Sequence, residues 1–319
     1  MPADNFLIPE TLSRLAGLEV KARGIVEGYL SGLHHSPHRG FSVEFAEHRE
    51  YVPGDDLRYV DWKVYGKSDR YYLKQFEEET NFVCHVLLDV SSSMRYRSEA
   101  APLSKLDYAR HVAAALAYLV LRQQDAVGVT TFDSVVDQVV RPAGQPGHIK
   151  QIVHLLESLD VEAPSPAAVA DADAPPDGDS MDIGGPLHKL AERIRQRSLV
   201  VVLSDFFSTR DSIEKALKHL RHRRHDVSVL QVIDPAEQDF PFEEPTIFHG
   251  LEIPHSEFVD ARTVAEAYRQ EFESFRTGLE RRCGDLGIDY RLLRTDAPLD
   301  VALSAYLIQR SRRSNSTER

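Results

Sequence analysis

Along most of the chain, short apolar runs alternate with longer segments in which apolar residues recur at regular intervals. Short apolar runs that end at polar residues, such as Val83–Leu88, predict buried strands. Longer segments in which apolar residues recur every three or four positions predict amphipathic helices. The predicted strands are Val83–Asp89, Ala126–Phe132, Val135–Val140, Ser198–Ser204, Val227–Ile233, Glu257–Asp260 and Asp289–Leu293. The predicted helices are Leu103–Gln123, His148–Ser158, Gly185–Gln196, Ser212–His222, Thr263–Leu286 and Ala297–Gln309.

The alternation of strands with helices predicts an α/β fold built on a doubly wound, mostly parallel sheet. Continuous apolar runs such as Leu199–Leu203 fit strands that are buried on both faces. One strand departs from this pattern, because only Asp133 and Ser134 separate Val135–Val140 from the strand before it. That short connection predicts a hairpin, which gives the sheet one antiparallel edge strand.

The sequence divides into three parts. Residues 1–80 are an N-terminal extension, with a helix over 7–32, that we expect to pack on the sheet. Residues 81–296 form the α/β domain and include an Ala-, Asp- and Pro-rich segment over 161–180, whose composition predicts a mobile loop. Residues 297–319 form a C-terminal helix and a polar tail that we expect to fray.

Hydroxyl and carboxylate side chains follow two of the predicted strands. Asp89, Ser91 and Ser93 lie on the loop after one strand, and Asp205 directly follows another. Because the carboxyl ends of parallel strands meet at one edge of a sheet, we expect Asp89 and Asp205 to converge on one site. Carboxylate and hydroxyl oxygens are hard ligands of the kind that Mg²⁺ prefers.

These four residues resemble the metal-ion-dependent adhesion site of von Willebrand factor A domains. In that family an Asp-x-Ser-x-Ser loop, a Thr from a middle loop and an Asp after a later strand surround Mg²⁺. The hydroxyls bind the ion, the Asp residues act mostly through water, and an open position accepts an acidic group of a partner. The resemblance therefore implies the fold and a Mg²⁺ or Mn²⁺ site at Asp89, Ser91, Ser93 and Asp205.

The middle loop departs from the family's pattern. Its Thr-x-Ile-Gly-x-x-Leu motif corresponds to Met181–Leu187, so that Met181 stands where the Thr is expected. A thioether is a poor ligand for Mg²⁺. Either Ser180 or Asp182 takes the place of the missing hydroxyl, or the metal site is weak, rearranged or empty.

A second resemblance rests on residues 40–80. The segment Arg49-Glu50-Tyr51-Val52-Pro53-Gly54-Asp55-Asp56-Leu57-Arg58-Tyr59-Val60-Asp61-Trp62-Lys63 is similar to the signature of a bacterial family, domain of unknown function fifty-eight. Members carry a von Willebrand factor A-like domain and are typically encoded beside MoxR-type AAA+ ATPases, which the resemblance implies as partners. Five signature residues either clamp this segment onto the sheet or form a docking surface: Asp55, Asp56, Arg58, Asp61 and Trp62.

Composition and charge narrow the functional classes. The chain has 38 basic and 50 acidic residues and a formal charge of −12, which argues against a nucleic-acid partner, since such binding needs a basic face. No apolar run approaches the ~20 residues of a membrane span, and residues 1–14 do not resemble a signal peptide. We therefore expect a cytoplasmic protein in which Cys84 and Cys283 are unpaired thiols.

The sequence favours a non-catalytic interaction module over an enzyme, because phosphate-binding, dinucleotide-binding and nucleophile-elbow motifs are absent. The expected role is an adaptor or co-chaperone-like partner of a MoxR-type AAA+ ATPase that binds an acidic group of its partner. Two alternatives stay open. One is a structural scaffold with a vestigial metal loop. The other is a metal-dependent phosphotransferase that uses Asp89, although Ser91 stands where the haloacid-dehalogenase-like pattern has a second Asp.

Overall fold

The structure is a computed structural model, and it describes residues 43–50, 64–66, 71–78, 83–145, 147–159, 182–252 and 255–317. The described strands are β1 (Val43–Glu50), β2 (Tyr72–Glu78), β3 (Val83–Asp89), β4 (Ala126–Phe132), β5 (Val136–Ala143), β6 (Leu199–Ser204), β7 (Asp226–Ile233), β8 (Pro245–His249), β9 (Ser256–Asp260) and β10 (Asp289–Arg294). The described helices are α1 (Lys105–Arg122), α2 (His148–Glu157), α3 (Gly184–Arg193), α4 (Arg210–His222), α5 (Pro235–Asp239), α6 (Ala261–Asp285) and α7 (Leu299–Thr317), with a 3₁₀ helix at Ser92–Arg95.

Six strands form the main sheet, in the order β10-β7-β6-β3-β4-β5. All neighbours run parallel except β4 and β5, which are antiparallel. This confirms the predicted α/β fold with a mostly parallel sheet and one antiparallel edge strand. Because β3 pairs with β6, with Leu88 opposite Leu203, the loops after these two strands lie side by side at the carboxyl edge of the sheet.

Helices cover both faces of the main sheet. On one face, Leu87 and Val202 pack in a core with apolar residues of α3, α4 and α6. Successive side chains of a strand point to opposite faces, and the neighbouring Leu88 and Leu203 are also fully buried. On their face α1 contacts the central strands and packs against α2 and α7. The helix predicted from Leu103 is α1, which begins after Ser104, whose hydroxyl oxygen accepts the backbone N–H of Asp107 at 3.0 Å.

The strand predicted at Glu257–Asp260 does not belong to the main sheet. It is β9, which pairs with β8 in a separate antiparallel hairpin. Neither β8 nor α5 was predicted. In β8, exposed and half-buried residues alternate, so the strand has no continuous apolar run. An aromatic cluster packs this hairpin against α6. Its members are Phe240, Phe242, Phe248 and Tyr268.

The C-terminal helix is longer than predicted. It continues past the predicted end at Gln309 to Thr317, so most of the tail that was expected to fray is helical. Arg310 explains part of this extension, because its guanidinium donates to Asp226 Oδ2 at 2.5 Å and to Asp289 Oδ2 at 3.4 Å. These carboxylates belong to the first residues of β7 and β10, and α7 is therefore attached to the amino edge of the sheet.

Residues 33–82 form a separate compact unit. In it β1 and β2 form an antiparallel pair in which Val43 lies opposite Glu78, and neither strand was predicted. Several predictions lie outside the described residues: the helix over 7–32, the loop over 161–180, and the signature residues Asp55, Asp56, Arg58, Asp61 and Trp62.

Two simpler expectations concern thiols and membrane spans. Cys84 and Cys283 are both buried, free thiols, as predicted. Within the described parts of the chain, no helix combines the length and the apolar character that crossing a membrane requires.

Candidate functional site

The serine loop, residues 89–93, follows β3 at the carboxyl edge of the sheet. The backbone N–H of Ser91 donates to Asp89 Oδ1 at 2.9 Å, which closes a turn through the Asp side chain. The 3₁₀ helix then begins at Ser92. This turn brings Ser91 Oγ within 3.2 Å of Ser93 Oγ, so the two hydroxyls that the sequence predicted as ligands lie together.

Asp205 reaches the same place from β6. Ser204, the last residue of β6, donates its hydroxyl hydrogen to Asp89 Oδ2 at 2.5 Å. The Ser204 hydroxyl oxygen also accepts the backbone N–H of Phe206 at 2.9 Å. Phe206 has a φ of 61°, a left-handed conformation that ends the strand in a tight turn. The structure thus places Asp89, Ser91, Ser93 and Asp205 together at one edge.

Asp89 lies in a buried and negatively charged environment. It is completely buried, and burial, followed by the charge of Asp205, raises the pKa of its carboxyl group to about 7. Hydrogen bonds from Ser204 and Ser91 oppose this shift, because they favour the ionised carboxylate. Both carboxylate oxygens of Asp89 are therefore engaged by donors from the protein itself.

A lysine that the sequence analysis missed brings a positive charge to the site. Lys105, the first residue of α1, is completely buried, and its Nζ lies 2.8 Å from Asp205 Oδ2 and 2.5 Å from Glu237 Oε1. Burial alone would lower the pKa of the Lys105 ammonium group, but the two carboxylates outweigh burial and raise that pKa. A cation in the first turn of a helix opposes the helix dipole, and this unfavourable position is the one sequence signal by which Lys105 could have been found.

Glu237 is fixed by the start of α5. Asp234 Oδ1 accepts the backbone N–H of Ala236 at 2.8 Å, and Glu237 Oε2 accepts the backbone N–H of Asp234 at 2.9 Å. This reciprocal capping box leaves Glu237 Oε1 for Lys105. Burial raises the pKa of Glu237, and the neighbouring Lys105 opposes that shift. One buried ion network therefore joins α1, the end of β6 and α5.

A further acidic side chain contacts the serine loop. Glu252 lies in the turn between β8 and β9, and its Oε1 accepts the backbone N–H of Ser93 at 2.6 Å. Burial raises the pKa of Glu252, hydrogen bonds from Ser93 oppose the shift, and the charges of Asp133 and Asp205 add to it. The sequence gave no sign of this contact, because it joins residues 159 positions apart.

The middle loop is described from Asp182 onward, and Ser180 and Met181 lie outside the described residues. Asp182 Oδ1 accepts the backbone N–H of Gly184 at 3.0 Å and the hydroxyl of Ser212. Asp182 would have to release these partners to serve as a metal ligand in place of the expected Thr.

The donor atoms fit a metal ion only in part. Mg²⁺ requires six oxygens at about 2.0–2.1 Å in an octahedron, in which neighbouring ligands lie about 2.9 Å apart. The 3.2 Å between Ser91 Oγ and Ser93 Oγ is close to that spacing. Asp89 and Asp205 already accept hydrogen bonds from the protein, which fits contact with an ion through water.

Other features weaken such a site. Lys105 holds a positive charge against Asp205, and like charges repel at this range. In the part of the chain that the structure describes, no group of three or more His, Cys, Asp and Glu side chains is arranged to hold a metal ion. The donor set therefore fits a weak site built on the two serine hydroxyls.

The fold and the loops define a class of protein: an α/β domain with a doubly wound sheet and a polar site at its carboxyl edge. The model of the family described as "Protein of unknown function DUF58" matches residues 47–280. The chain therefore belongs to this family. It is also similar to uncharacterized proteins of Mycobacterium bovis and Mycobacterium tuberculosis, each 24% identical over 292 residues that cover 90% of this chain and 86% of the relative.

Solved structures with a related arrangement share little sequence with this chain. The conserved hypothetical protein BatB from Bacteroides thetaiotaomicron is 16% identical with a TM-score of 0.45, over 72% of this chain and 99% of that chain. The SpRpn10 VWA domain is 11% identical with a TM-score of 0.38, over 72% of this chain and 94% of that chain.

Proposed function

We propose that this protein is a non-catalytic interaction module that binds an acidic group of a partner at the serine loop. One observation carries the proposal: the backbone N–H of Ser93, beside two serine hydroxyls, already donates a hydrogen bond to a carboxylate, that of Glu252, at 2.6 Å. A hydrogen bond to an ionised carboxylate is about twice as strong as a neutral one. An acidic side chain of another protein has the same chemistry as Glu252 and suits the same donors.

Mg²⁺ or Mn²⁺ is the proposed cofactor of this binding. The hydroxyls of Ser91 and Ser93 would hold the ion, with Asp89 and Asp205 acting through water. The ion would supply the positive charge that attracts an incoming carboxylate. We expect weak binding, because Met181 replaces a hydroxyl and Lys105 already neutralises part of the negative charge.

Family membership supports a proposal about the partner. From the resemblance to the family's signature, we propose that the partner is a MoxR-type AAA+ ATPase in the cytoplasm and that the chain serves it as an adaptor or co-chaperone-like module. The net charge of −12 supports a protein partner rather than a nucleic acid.

The test is affinity capture from a native lysate of the source organism, in Mg²⁺ and in EDTA, followed by identification of any retained AAA+ ATPase. The variant Ser91→Ala/Ser93→Ala should lower retention at least about tenfold, which corresponds to the loss of about 1.4 kcal/mol. The matched control is Ser274→Ala on the exposed face of α6. Equal retention by the double variant would count against docking at the serine loop, whereas equal retention in EDTA would remove only the metal from the proposal.

A scaffold with a vestigial metal loop is the second candidate, and the ion pair of Lys105 with Asp205 supports it. Calorimetry with Mg²⁺ and Mn²⁺ separates the two, because a scaffold gives neither heat nor a change in melting temperature. A phosphotransferase has less support, since Ser91 and Ser204 engage both oxygens of Asp89. Metal-dependent phosphatase turnover that disappears in Asp89→Asn would favour that enzyme instead.

A further inference from the structure

The hairpin β8–β9 carries Glu252 at its tip. Near the turn of the hairpin, Phe248 of β8 packs against Phe240 and Phe242, and this cluster lies on α6. At the tip, the backbone N–H of Gly250 donates to the carbonyl oxygen of His255 at 2.7 Å, which closes the turn. The hairpin is thus a packed arm that holds its tip towards the serine loop.

The tip of the hairpin occupies the hydrogen-bond donor to which, in the proposed function, a partner's carboxylate binds. Glu252 Oε1 accepts the backbone N–H of Ser93 at 2.6 Å, next to the paired hydroxyls of Ser91 and Ser93. Two carboxylates cannot accept the same N–H in the same direction. A partner's acidic side chain therefore has to displace Glu252 before it can bind there.

The arrangement favours displacement over permanent closure. In the described part of the chain the hairpin forms a two-stranded sheet that is separate from the main sheet, so its tip can leave without breaking strand pairing of the main sheet. The carboxylate also faces the negative charges of Asp133 and Asp205, which oppose its stay. A short hydrogen bond holds the tip while like charges repel it, which is the balance that a reversible contact requires.

We propose that Glu252 is an internal ligand of the serine loop and that the β8–β9 hairpin keeps the binding site closed until a partner's carboxylate replaces it. This inference rests on the proposed function. It adds an autoinhibitory step to that function, because partner affinity is reduced by the fraction of molecules in which the tip occupies the site.

The first measurement tests the contact in solution, by amide hydrogen exchange of Ser93. The variant Glu252→Ala should exchange this amide faster than the wild type, because its hydrogen-bond acceptor is gone. The matched control is Glu257→Ala, which removes an exposed carboxylate from the same hairpin and should leave the Ser93 amide unchanged. An unchanged rate in Glu252→Ala would overturn the proposal.

The second measurement tests competition. The probe is a labelled peptide with blocked ends and one Glu among glycines, titrated in Mg²⁺, and the same peptide with Gln in place of Glu serves as the blank. If the site is closed in about nine molecules of ten, Glu252→Ala should bind the Glu peptide about tenfold more tightly than the wild type does. Glu252→Gln, which keeps the size of the side chain and removes its charge, should change affinity in the same direction.

The outcomes separate the two proposals. If the wild type and Glu252→Ala bind the Glu peptide equally, the internal-ligand proposal is wrong and the proposed function stands. If Glu252→Ala exchanges the Ser93 amide faster but neither protein binds the peptide, docking of an acidic group at this loop fails, and the internal-ligand proposal fails with it.

Discussion

Lys105 decides the charge balance of the site at the scale of single residues. Its ammonium group contacts the carboxylates of the buried Asp205 and the partly buried Glu237 at 2.8 and 2.5 Å. A buried ion pair gives little net stability relative to apolar residues, but removing one partner leaves an uncompensated buried charge. Lys105 therefore matters for stability mainly because its loss would leave the carboxylates of Asp205 and Glu237 without a neutralising charge.

We predict that Lys105→Met lowers the free energy of unfolding by about 3–5 kcal/mol at pH 7, because two carboxylates then lose their buried cation. Urea unfolding followed by circular dichroism measures this change. Lys150→Met, on the exposed side of α2, is the control and should change stability by less than about 0.5 kcal/mol. Similar unfolding midpoints for the two variants would show that Asp205 and Glu237 do not depend on Lys105.

The same residues show what sequence can predict about a site. Asp89 and Asp205 were predicted to converge because a local rule, polar residues at the carboxyl ends of parallel strands, applies to each separately. Lys105 and Glu252 escaped prediction because their partners lie 100 and 159 positions away. In the sequence alone, each has the appearance of an ordinary surface charge.

At the scale of elements, the approach of α3 to α4 depends on Gly184. A Cβ atom at this position would lie 2.8 Å from the carbonyl oxygen of Ser212 and closer still to its hydroxyl. The backbone oxygen cannot move aside without moving the first turn of α4. The start of α3, and with it the middle loop at Asp182, is therefore positioned by contact with α4.

We predict that Gly184→Ala destabilises the fold by about 1–3 kcal/mol, because the added methyl group forces the two helices apart. Gly185→Ala is a matched control one position later, where the Cβ would meet its nearest atom, Asp182 Oδ2, at 3.8 Å. That variant should be neutral or more stable by up to about 1 kcal/mol, since Ala favours a helix over Gly. Thermal unfolding of both variants tests the contrast, and equal melting temperatures would contradict it.

Elements were predicted well where their buried positions give a recognisable pattern of apolar residues in the sequence. The six strands of the main sheet were all predicted, and in β3, β4, β6 and β7 the buried residues form the apolar runs that made this possible. β8 was missed because the apolar Ile247 lies at one of its exposed positions and is 55% exposed. The apolar and polar residues of β8 therefore do not alternate in step with its buried and exposed positions. The hairpin that carries Glu252 was consequently outside the predicted architecture.

At the scale of the whole molecule, the half-buried His85 links stability to pH. His85 lies in the central strand β3, and burial, followed by the nearby charge of His225, lowers the pKa of its imidazole to about 4. The unfolded chain has a His pKa of about 6.5. Between these two pH values His85 is protonated in the unfolded state and neutral in the folded state. The free energy of unfolding therefore falls as the pH falls.

We predict that His85 contributes a loss of about 1–2 kcal/mol of stability between about pH 6.5 and pH 4, after allowance for its partial exposure. His85→Gln should reduce the loss of the urea midpoint over this range and leave the slope above pH 7 unchanged. His154→Gln, at an exposed position of α2, should keep the wild-type profile. Parallel profiles for His85→Gln and the wild type would rule out His85 as the titrating group.

Arg310 attaches α7 to the first residues of β7 and β10, and this determines where a label or tether can be placed away from the serine loop. The serine loop follows β3 at the opposite, carboxyl edge of the same sheet, about 20 Å away along the strand direction for six residues at about 3.3 Å each. A fluorophore or surface tether attached to α7 near Arg310 is therefore held at the amino edge of the sheet. A protein immobilised in this way has Ser93 and Glu252 at the edge of the sheet opposite the attachment.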